Sequence, residues 1–405
     1  MVPPSESFEG VNQMTFVRSI QLSGFLSFPP DSSAIPLTPL NLLIGPNGSG
    51  KSNFIEAIEL LHAAPTAFAA AIREGGGAQE WLWKGNNANG PATIEAIVQG
   101  ENPIPDLKYR LVFAASGMRT EVIDEAIEET DKRFPGKEDV YFYYRFQRGR
   151  PVLNVRDAAG LTLRYLRRED LVPDESVLSQ RKGSDVYPEV TWLGQQFARI
   201  QTFREWSFGR DAPLRKYQGT GSSTDALDPD SRNLGLFINA LQHTDAGVEF
   251  NRMLSRFLPR YQRFSIQVQG GAVQFYLHEA GLRSPVSATR LSDGTIRFMA
   301  ILALLLSPTP PPLICIEEPE LGLHPDAVSL LADILVEASA RTQLIVTTHS
   351  DALVSGLTEH SGSVLICENR GGTQLERVDP DKLSHWLEEY RLGEIWRIGE
   401  LGGNP

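Results

Sequence analysis

The chain has 405 residues, of which 41% are hydrophobic and 22% are charged, as is ordinary for a globular protein of one or two domains. Its net charge of −12 argues against a protein that coats nucleic acid by bulk electrostatic attraction. No apolar run is long enough to cross a membrane, and the first residues show no signal-peptide pattern. Cys315 and Cys367 lie in apolar strand-like runs and indicate neither a disulfide framework nor a Cys-x-x-Cys metal site. We therefore expect a cytoplasmic chain with no membrane partner.

The apolar segment Leu40–Ile44 predicts a buried strand and leads into the stretch GPNGSGKS, which fits the phosphate-loop pattern G-x-x-x-x-G-K-[ST]. The glycines of such a loop allow the backbone to curl and to direct its N–H groups at phosphate oxygens. Lys51 supplies a positive charge for the β- and γ-phosphates, and the Ser52 hydroxyl is placed to bind Mg²⁺. A helix from Ser52 onward would direct the positive end of its dipole at the nucleotide. The predicted nucleotide-binding residues are Gly45, Pro46, Asn47, Gly48, Ser49, Gly50, Lys51, Ser52 and Asn53.

A large insertion follows the phosphate loop. Alternating polar and apolar residues predict antiparallel strands, the stretch around QGG predicts a hairpin, and two apolar-periodic segments predict helices. The predicted elements are strands Thr93–Val98, Lys108–Phe113 and Tyr141–Phe146, hairpin strands Ser265–Val268 and Val273–Leu277, and helices Asn233–Leu241 and Phe250–Phe257. No sustained heptad repeat occurs, so we expect no coiled-coil arm.

One part of the insertion mixes basic and aromatic residues, a combination that can follow a nucleic-acid backbone. Its members are Arg145, Arg148, Arg150, Arg156, Arg164, Arg167, Arg168, Tyr141, Tyr143, Tyr144 and Tyr165. The alternative, which we favour, is a solvated antiparallel sheet with paired charges. DNA is kept as a candidate partner.

The stretch RLSDGTIR (Arg290–Arg297) precedes the apolar segment FMAILALLL. It places Ser292, Asp293 and Gly294 at a predicted helix start, where a hydroxyl, backbone N–H groups and the helix dipole face an anion. Helix capping alone would also explain the serine and the aspartate. It would not explain why such a helix start occurs just before the strand described next.

The stretch LICIEEPE contains a buried strand that ends in two adjacent acids, Glu317 and Glu318. A turn at the strand end would let both carboxylates face a bound nucleotide. Glu317 is then predicted to hold Mg²⁺, directly or through water. Glu318 is predicted to orient and deprotonate the water that attacks the γ-phosphate.

The stretch QLIVTTHS predicts a strand that delivers His349 to the edge of the sheet where ligands bind in open α/β folds. The near-continuous apolar runs are typical of strands in a parallel sheet covered on both faces. These runs are Leu40–Ile44, Leu313–Ile316, Leu344–Thr347 and Val364–Cys367. We therefore predict an α/β phosphate-loop NTPase with a mostly parallel central sheet, an antiparallel β lobe and an inserted helical region.

The predicted domain is single and split, because its sheet draws on both ends of the chain. Residues 15–115 form the N-terminal lobe with the phosphate loop, residues 116–285 the inserted lobe, and residues 286–405 the C-terminal lobe.

The order of phosphate loop, LSDGT, IEEPE and TTHS resembles that of the ABC-type ATPases, and GPNGSGKSN with EEPELGLHP resembles the SMC, RecF and OLD-like branch. The resemblance covers both ends of the chain well and the middle loosely. It implies that Ser292, Asp293 and Gly294 form a signature motif that meets the γ-phosphate bound by another subunit. It implies a phosphate-sensing switch role for His349 and a D-loop at Leu321–Asp326, at a dimer interface.

The resemblance also implies a glutamine that couples Mg²⁺ to lobe motion. By position this is Gln180, with Gln147 and Gln195 as competitors. The chain departs from the family pattern in three places: Asp293 stands where transporters have glycine, Glu317 replaces the commoner aspartate, and Leu26 replaces a basic residue. The segment after Ser350 is too short for the Toprim nuclease of OLD proteins, so we expect no nuclease activity of this chain.

Lys51, Glu318 and His349 are the predicted catalytic residues, and Ser52, Glu317 and Gln180 the predicted Mg²⁺ ligands. The predicted function is ATP binding and hydrolysis by a chain that forms a homodimer or higher oligomer around ATP, in DNA repair or anti-phage defence. The alternative is an ATP-gated scaffold that holds and releases a partner nuclease or toxin effector. A transporter motor fits poorly because the signature lacks LSGGQ, and a GTPase fits worse because no Asn-Lys-x-Asp motif occurs.

Overall fold

Strands and helices extend along the whole of the described chain. The computed structural model describes residues 15–86, 90–117, 119–131, 140–147, 150–157, 160–165, 170–204, 206–219, 221 and 224–403. The strands are β1 (Val17–Ser23), β2 (Ile35–Pro36), β3 (Leu40–Ile44), β4 (Ala92–Val98), β5 (Leu107–Ser116), β6 (Arg119–Glu129), β7 (Phe142–Gln147), β8 (Arg150–Asp157), β9 (Gly160–Tyr165), β10 (Gln201–Phe203), β11 (Gln218–Gly219), β12 (Tyr261–Gln269), β13 (Ala272–Glu279), β14 (Val286–Ser287), β15 (Leu313–Glu317), β16 (Gln343–Thr347), β17 (Val364–Asn369) and β18 (Thr373–Arg377). The helices are α1 (Lys51–Ala63), α2 (Phe68–Glu74), α3 (Ala78–Trp81), α4 (Val177–Gln180), α5 (Pro188–Ala198), α6 (Leu234–Leu241), α7 (Asp245–Phe257), α8 (Asp293–Leu305), α9 (Pro325–Ser339), α10 (Asp351–Gly356), α11 (Pro380–Leu387) and α12 (Leu392–Arg397).

A six-stranded sheet with the order β10-β15-β16-β3-β17-β18 unites the two ends of the chain. Its pairings are parallel from β10 to β17, and only β17 and β18 run antiparallel. The α/β fold is therefore confirmed, and the four predicted apolar strands occur as β3, β15, β16 and β17. Because parallel strands share one carboxyl edge, the loops after β3, β15 and β16 leave the sheet on the same side.

Helices and a second sheet cover the two faces of this sheet. Successive side chains of a strand point to opposite faces. Leu42 and Ile44 accordingly pack in a core with α8 and α9, whereas Leu43 packs in a second core with α1, β4 and β5. Burial on both faces explains why these strands are apolar throughout rather than alternating.

The second sheet is eight-stranded and antiparallel, with the order β2-β1-β4-β5-β6-β7-β8-β9. It contains the strands predicted in the first half of the insertion. In β4 the alternation of buried and half-buried residues matches a sheet with one face on the core. Glu125 of β6 is fully buried and accepts hydrogen bonds from the hydroxyls of Tyr109 (2.7 Å) and Ser176 (2.5 Å) and from the N–H of Val177 (2.8 Å). Burial raises the pKa of Glu125 to about 7.

The predicted hairpin is confirmed as β12 and β13, which pair antiparallel with β11 and β14 added to β13. The two predicted helices occur as α6 and α7, and α7 begins five residues earlier than predicted. Apolar residues of α6, α7 and β13 join the same core as α8. The hairpin region is therefore packed against the helix that follows the LSDGT motif.

Most of the mixed basic and aromatic residues fall on strands β7, β8 and β9 of the antiparallel sheet. Tyr143 and Tyr144 are buried, and Arg145 pairs with Glu128 at 2.7 Å. Arg148, Arg167 and Arg168 lie outside the described residues. In the described ranges no helix has the length and apolar character needed to span a membrane.

Candidate nucleotide-binding site

A cleft of about 550 Å³ opens at the carboxyl edge of the parallel strands. The phosphate loop follows β3, the two acids lie at the end of β15, and the histidine follows β16. The lining residues are Asn47, Gly48, Ser49, Gly50, Lys51, Ser52, Asn53, Arg204, Trp206, Ser207, Arg297, Glu317, Glu318, Leu321, Thr347 and His349. Three motifs that are far apart in sequence thus converge on one cleft.

The phosphate loop needs its glycines for two different reasons. Gly45, Gly48 and Gly50 all have positive φ, at 146°, 75° and 106°, a region that disfavours other residues. In addition, a Cβ on Gly45 would collide with the carbonyl oxygen of Cys367, and one on Gly50 with the Thr373 hydroxyl. The loop therefore adopts its shape while packed directly against β17 and β18.

The Lys51 side chain lies inside the loop that precedes it. Its Nζ donates hydrogen bonds to the carbonyl oxygens of Gly45 (2.7 Å) and Pro46 (3.1 Å). Burial lowers the pKa of Lys51, and the nearby Glu318 and Glu317 partly offset this effect. The loop thus holds a cation at its base, as the phosphate-loop assignment requires.

The chain turns at the end of β15, so both adjacent acids face the cleft. Glu318 has the unusual φ of 46°, and its N–H donates to the Thr347 carbonyl at 3.0 Å. A left-handed conformation at a non-glycine residue is strained, and such strain is concentrated at functional sites. Among the described residues, Oε1 of the half-buried Glu317 is buried and has no hydrogen-bond partner.

His349 lies next to the second acid. Its Nε2 is 3.8 Å from Oε1 of Glu318. Burial, with the Lys51 charge, lowers the pKa of His349, while Glu318 opposes the shift. The imidazole is therefore held toward its neutral form beside a carboxylate.

Glu320, the last acid of EEPE, was not singled out from the sequence. Its Oε1 accepts hydrogen bonds from the Thr348 hydroxyl and from the N–H of His349 (3.3 Å). Burial raises the pKa of Glu320. This carboxylate fixes the segment that carries His349. The sequence feature that could have marked Glu320 is that it is the third acid within EEPE.

Further cleft residues were also missed, among them Arg204, Trp206 and Arg297. Arg204, directly after β10, donates through Nε to Oε2 of Glu317 at 3.2 Å. Arg297 of α8 donates to the carbonyl oxygens of Glu318 (3.2 Å) and Trp206 (3.3 Å). Arg297 was visible as the end of RLSDGTIR, whereas no pattern marks Arg204 or Trp206.

The structure does not bring Gln180 into the cleft. The residue ends the short helix α4, and its side chain bonds to backbone groups of Val172, Glu175 and Ser176. These local bonds use both the carbonyl and the amide of the side chain. Arg204, directly after the strand adjacent to β15, takes the position beside Glu317, so the structure does not support Gln180 as a metal ligand.

The LSDGT motif forms the predicted helix start, outside the cleft of its own chain. The Ser292 Oγ accepts from the N–H of Thr295 at 3.1 Å, so it caps α8. The Asp293 carboxylate pairs with Arg215 while 66% of its side chain stays exposed. A Cβ on Gly294 would collide with the carbonyl oxygen of Gly322 in the predicted D-loop. Ser292 and Asp293 are thus exposed, whereas Gly294 packs on that loop.

ATP and Mg²⁺ fit this cleft. A buried carboxylate oxygen on Glu317 and the buried hydroxyl of Ser49 have no hydrogen-bond partner within the described residues, and each could meet a ligand. The exposed hydroxyl of Ser52 is at the start of α1, next to Lys51. Carboxylate and hydroxyl oxygens together with phosphates are the ligands that Mg²⁺ takes in nucleotide sites.

The fold and the site together define a phosphate-loop nucleotide-binding domain of the AAA type. The chain belongs to the family described as "AAA domain, putative AbiEii toxin, Type IV TA system", which it matches over residues 40–355. No curated protein sequence matches the chain.

Two solved structures of Smc head domains are similar to this chain. One is an Smc head bound to the C-winged helix domain of ScpA, with a TM-score of 0.55 and 14% identity, over 91% of this chain and 99% of that one. The other is an Smc head domain with an extended coiled coil, bound to the C-terminal domain of ScpA derived from Pyrococcus furiosus. It has a TM-score of 0.54 and 14% identity, over 92% of this chain and 99% of that one. At such identity the likeness shows the fold alone.

Proposed function

We propose that this chain binds and hydrolyses ATP with Mg²⁺, and that it does so as a dimer that closes around the nucleotide. The phosphate loop, the two acids after β15 and His349 line a single cleft, and this convergence supports the proposal. The residues proposed to bind the nucleotide are those of the loop, Gly45 to Asn53.

Each proposed role follows from a position in the cleft. Lys51 and the loop N–H groups would bind the phosphates, and Ser52 and Glu317 would hold Mg²⁺, which neutralises developing charge on the phosphates. Glu318 would accept a proton from the attacking water, because its carboxylate lines the cleft and is partly exposed. His349, within reach of that carboxylate, would orient the same water or sense the terminal phosphate.

The observation that supports a dimer is the location of the signature motif. Ser292 and Asp293 are exposed at a helix start, a site suited to an anion, yet neither lines the cleft of its own chain. Leu321 at the cleft rim is an apolar side chain that stays 51% exposed. A second copy would supply its helix start to the cleft and cover this rim.

The test is Glu318→Gln, which keeps the side-chain shape and removes the proton acceptor. We expect it to bind ATP, to hydrolyse it at least 100-fold more slowly, in line with the loss of a general base, and to accumulate as a dimer. Sedimentation with ATP and Mg²⁺ measures the dimer, and the double variant with Lys51→Ala is the control that should stay monomeric. A variant that remains monomeric at saturating ATP would contradict the dimer, and wild-type hydrolysis would contradict the role of Glu318.

We further propose a cytoplasmic role in anti-phage defence. DNA maintenance is the other role that the sequence indicates. The family description names a toxin, and the two similar Smc heads are bound to a domain of another protein. Both observations favour a chain that holds a partner protein when ATP is bound, which is the scaffold form of this function. Affinity capture by Glu318→Gln with and without ATP, alongside DNA-binding measurements, separates a protein partner from DNA.

A further inference from the structure

Arg204 joins three carboxylates at one side of the cleft. Its Nε donates to Glu317 (3.2 Å), Nη1 to Glu59 (2.9 Å) and Nη2 to Glu56 (3.1 Å). Each guanidinium nitrogen therefore has a different acid as its partner. The Thr202 hydroxyl adds a bond to the other oxygen of Glu59, at 3.0 Å.

Two of these acids belong to the helix that begins at the phosphate loop. Ser52, Glu56 and Glu59 are spaced at i, i+4 and i+7 of α1, so they lie on one face of it. Glu317 ends β15, on a different part of the chain. Arg204 thus ties the helix that carries one proposed metal ligand to the strand that carries the other.

The bonds also fix the orientation of the Glu317 carboxylate. Oε2 is held by Arg204, and Oε1 is buried without a partner among the described residues. A carboxylate that is held through one oxygen cannot rotate freely, so its other oxygen keeps a constant direction. Such supporting bonds orient metal ligands and set metal affinity.

We propose that Arg204 is a positioning residue for the Mg²⁺ site, because its planar fork fixes Glu317 relative to Ser52. This inference rests on the proposed function, since it presumes that ATP and Mg²⁺ bind the cleft. Holding Glu317 in one orientation requires the planar guanidinium group of Arg204 and not only its positive charge. A lysine is a point charge on a flexible stem and does not hold three carboxylates in one geometry.

The experiment uses Arg204→Lys, which keeps the charge and removes the fork. A fluorescent ATP analogue is titrated in excess Mg²⁺ and in EDTA, and the ratio of the two affinities reports the coupling between metal and nucleotide. We expect the affinity in EDTA to stay within about twofold, since only metal binding is altered, and the ratio to fall by about 10–100-fold. Arg110→Lys, which alters a similar ion pair with Asp124 on the antiparallel sheet, is the matched control and should leave both values unchanged.

A second variant keeps the test independent of Arg204 itself. Glu59→Gln removes one partner of the fork and leaves Arg204 and Glu317 in place, so the ratio should fall in the same direction by less. If Arg204→Lys does not fold, Glu59→Gln decides the question, and a wild-type ratio overturns the proposal.

The remaining outcomes distinguish this proposal from the proposed function. A wild-type ratio in Arg204→Lys, or equal loss of affinity in both buffers, overturns the positioning role of Arg204 while ATP binding stands. Wild-type protein that binds ATP in neither buffer overturns both the proposed function and this inference.

Discussion

Arg215 anchors the start of α8, and its removal should be among the costliest substitutions near the cleft. The side chain is only 4% exposed and pairs with Asp293. It donates to the carbonyl oxygens of Phe208 (2.8 Å), Ala288 (2.9 Å) and Leu291 (2.7 Å). Arg215→Met keeps the aliphatic bulk and leaves these groups without their buried donor. We expect a loss of about 3–5 kcal/mol in the free energy of unfolding, because a buried polar group left without its hydrogen-bond partner costs about 1–3 kcal/mol and three carbonyl oxygens lose their donor.

The matched comparison is Asp293→Ala, which removes only the exposed partner. Two-thirds of the Asp293 side chain is in solvent, so the ion pair contributes about 0–1 kcal/mol. Urea unfolding followed by circular dichroism measures both variants. The reasoning is refuted if Arg215→Met costs less than about 1 kcal/mol, or if Asp293→Ala costs as much as Arg215→Met, because the carbonyl bonds would then not be the dominant contribution.

Two further predictions concern the composite site and the antiparallel sheet. Lys51→Ala should lose ATP binding, and Ser292→Arg should bind ATP but fail to hydrolyse it. The proposed composite site combines the phosphate loop of one subunit with the LSDGT motif of the other. A mixture of the two variants should therefore recover part of the ATPase activity if one such site works alone. Wild-type dimerisation and hydrolysis by Ser292→Arg would show that the helix start is only a cap. The pKa of Glu125 is about 7 in the fold against 4.5 for an ordinary glutamate, so the folded chain favours the protonated form. The stabilising contribution of Glu125 to the free energy of unfolding is therefore complete below pH 4.5. It declines by about 3 kcal/mol as the pH rises through 7. Glu125→Gln should abolish this decline, and unchanged pH dependence of the midpoint in urea would contradict it.

The sequence predicts those parts of the site whose chemistry forces a local pattern. The phosphate loop needs glycines where φ is positive, and the acids after β15 follow a strand that must be apolar because both its faces are covered. Such requirements are visible within ten residues of the chain. The strands β3, β15, β16 and β17 were predictable for the same reason.

The contacts that depend on tertiary packing were not predictable in this way. Gln180 was chosen by its position in the sequence, yet the strand adjacent to β15 is the short β10, which has only three residues. So short a strand carries no periodic signal, and Arg204 after it looks like any surface arginine. Its role depends on Glu56, Glu59 and Glu317, which are more than a hundred residues away in the chain.

Helix α8 connects the exposed residues Ser292 and Asp293 with the side of the cleft that carries Glu318. Ser292 caps the start of this helix, and five residues later Arg297 donates to the carbonyl oxygen of Glu318 at 3.2 Å. The backbone of Glu318 is in a strained conformation, which only such surrounding contacts maintain. A phosphate bound at Ser292 would displace the same helix whose Arg297 helps to maintain the strained backbone of Glu318. Dimer closure at Ser292 would therefore be transmitted to Glu318, the proposed catalytic carboxylate of the same chain, through about one and a half turns of helix.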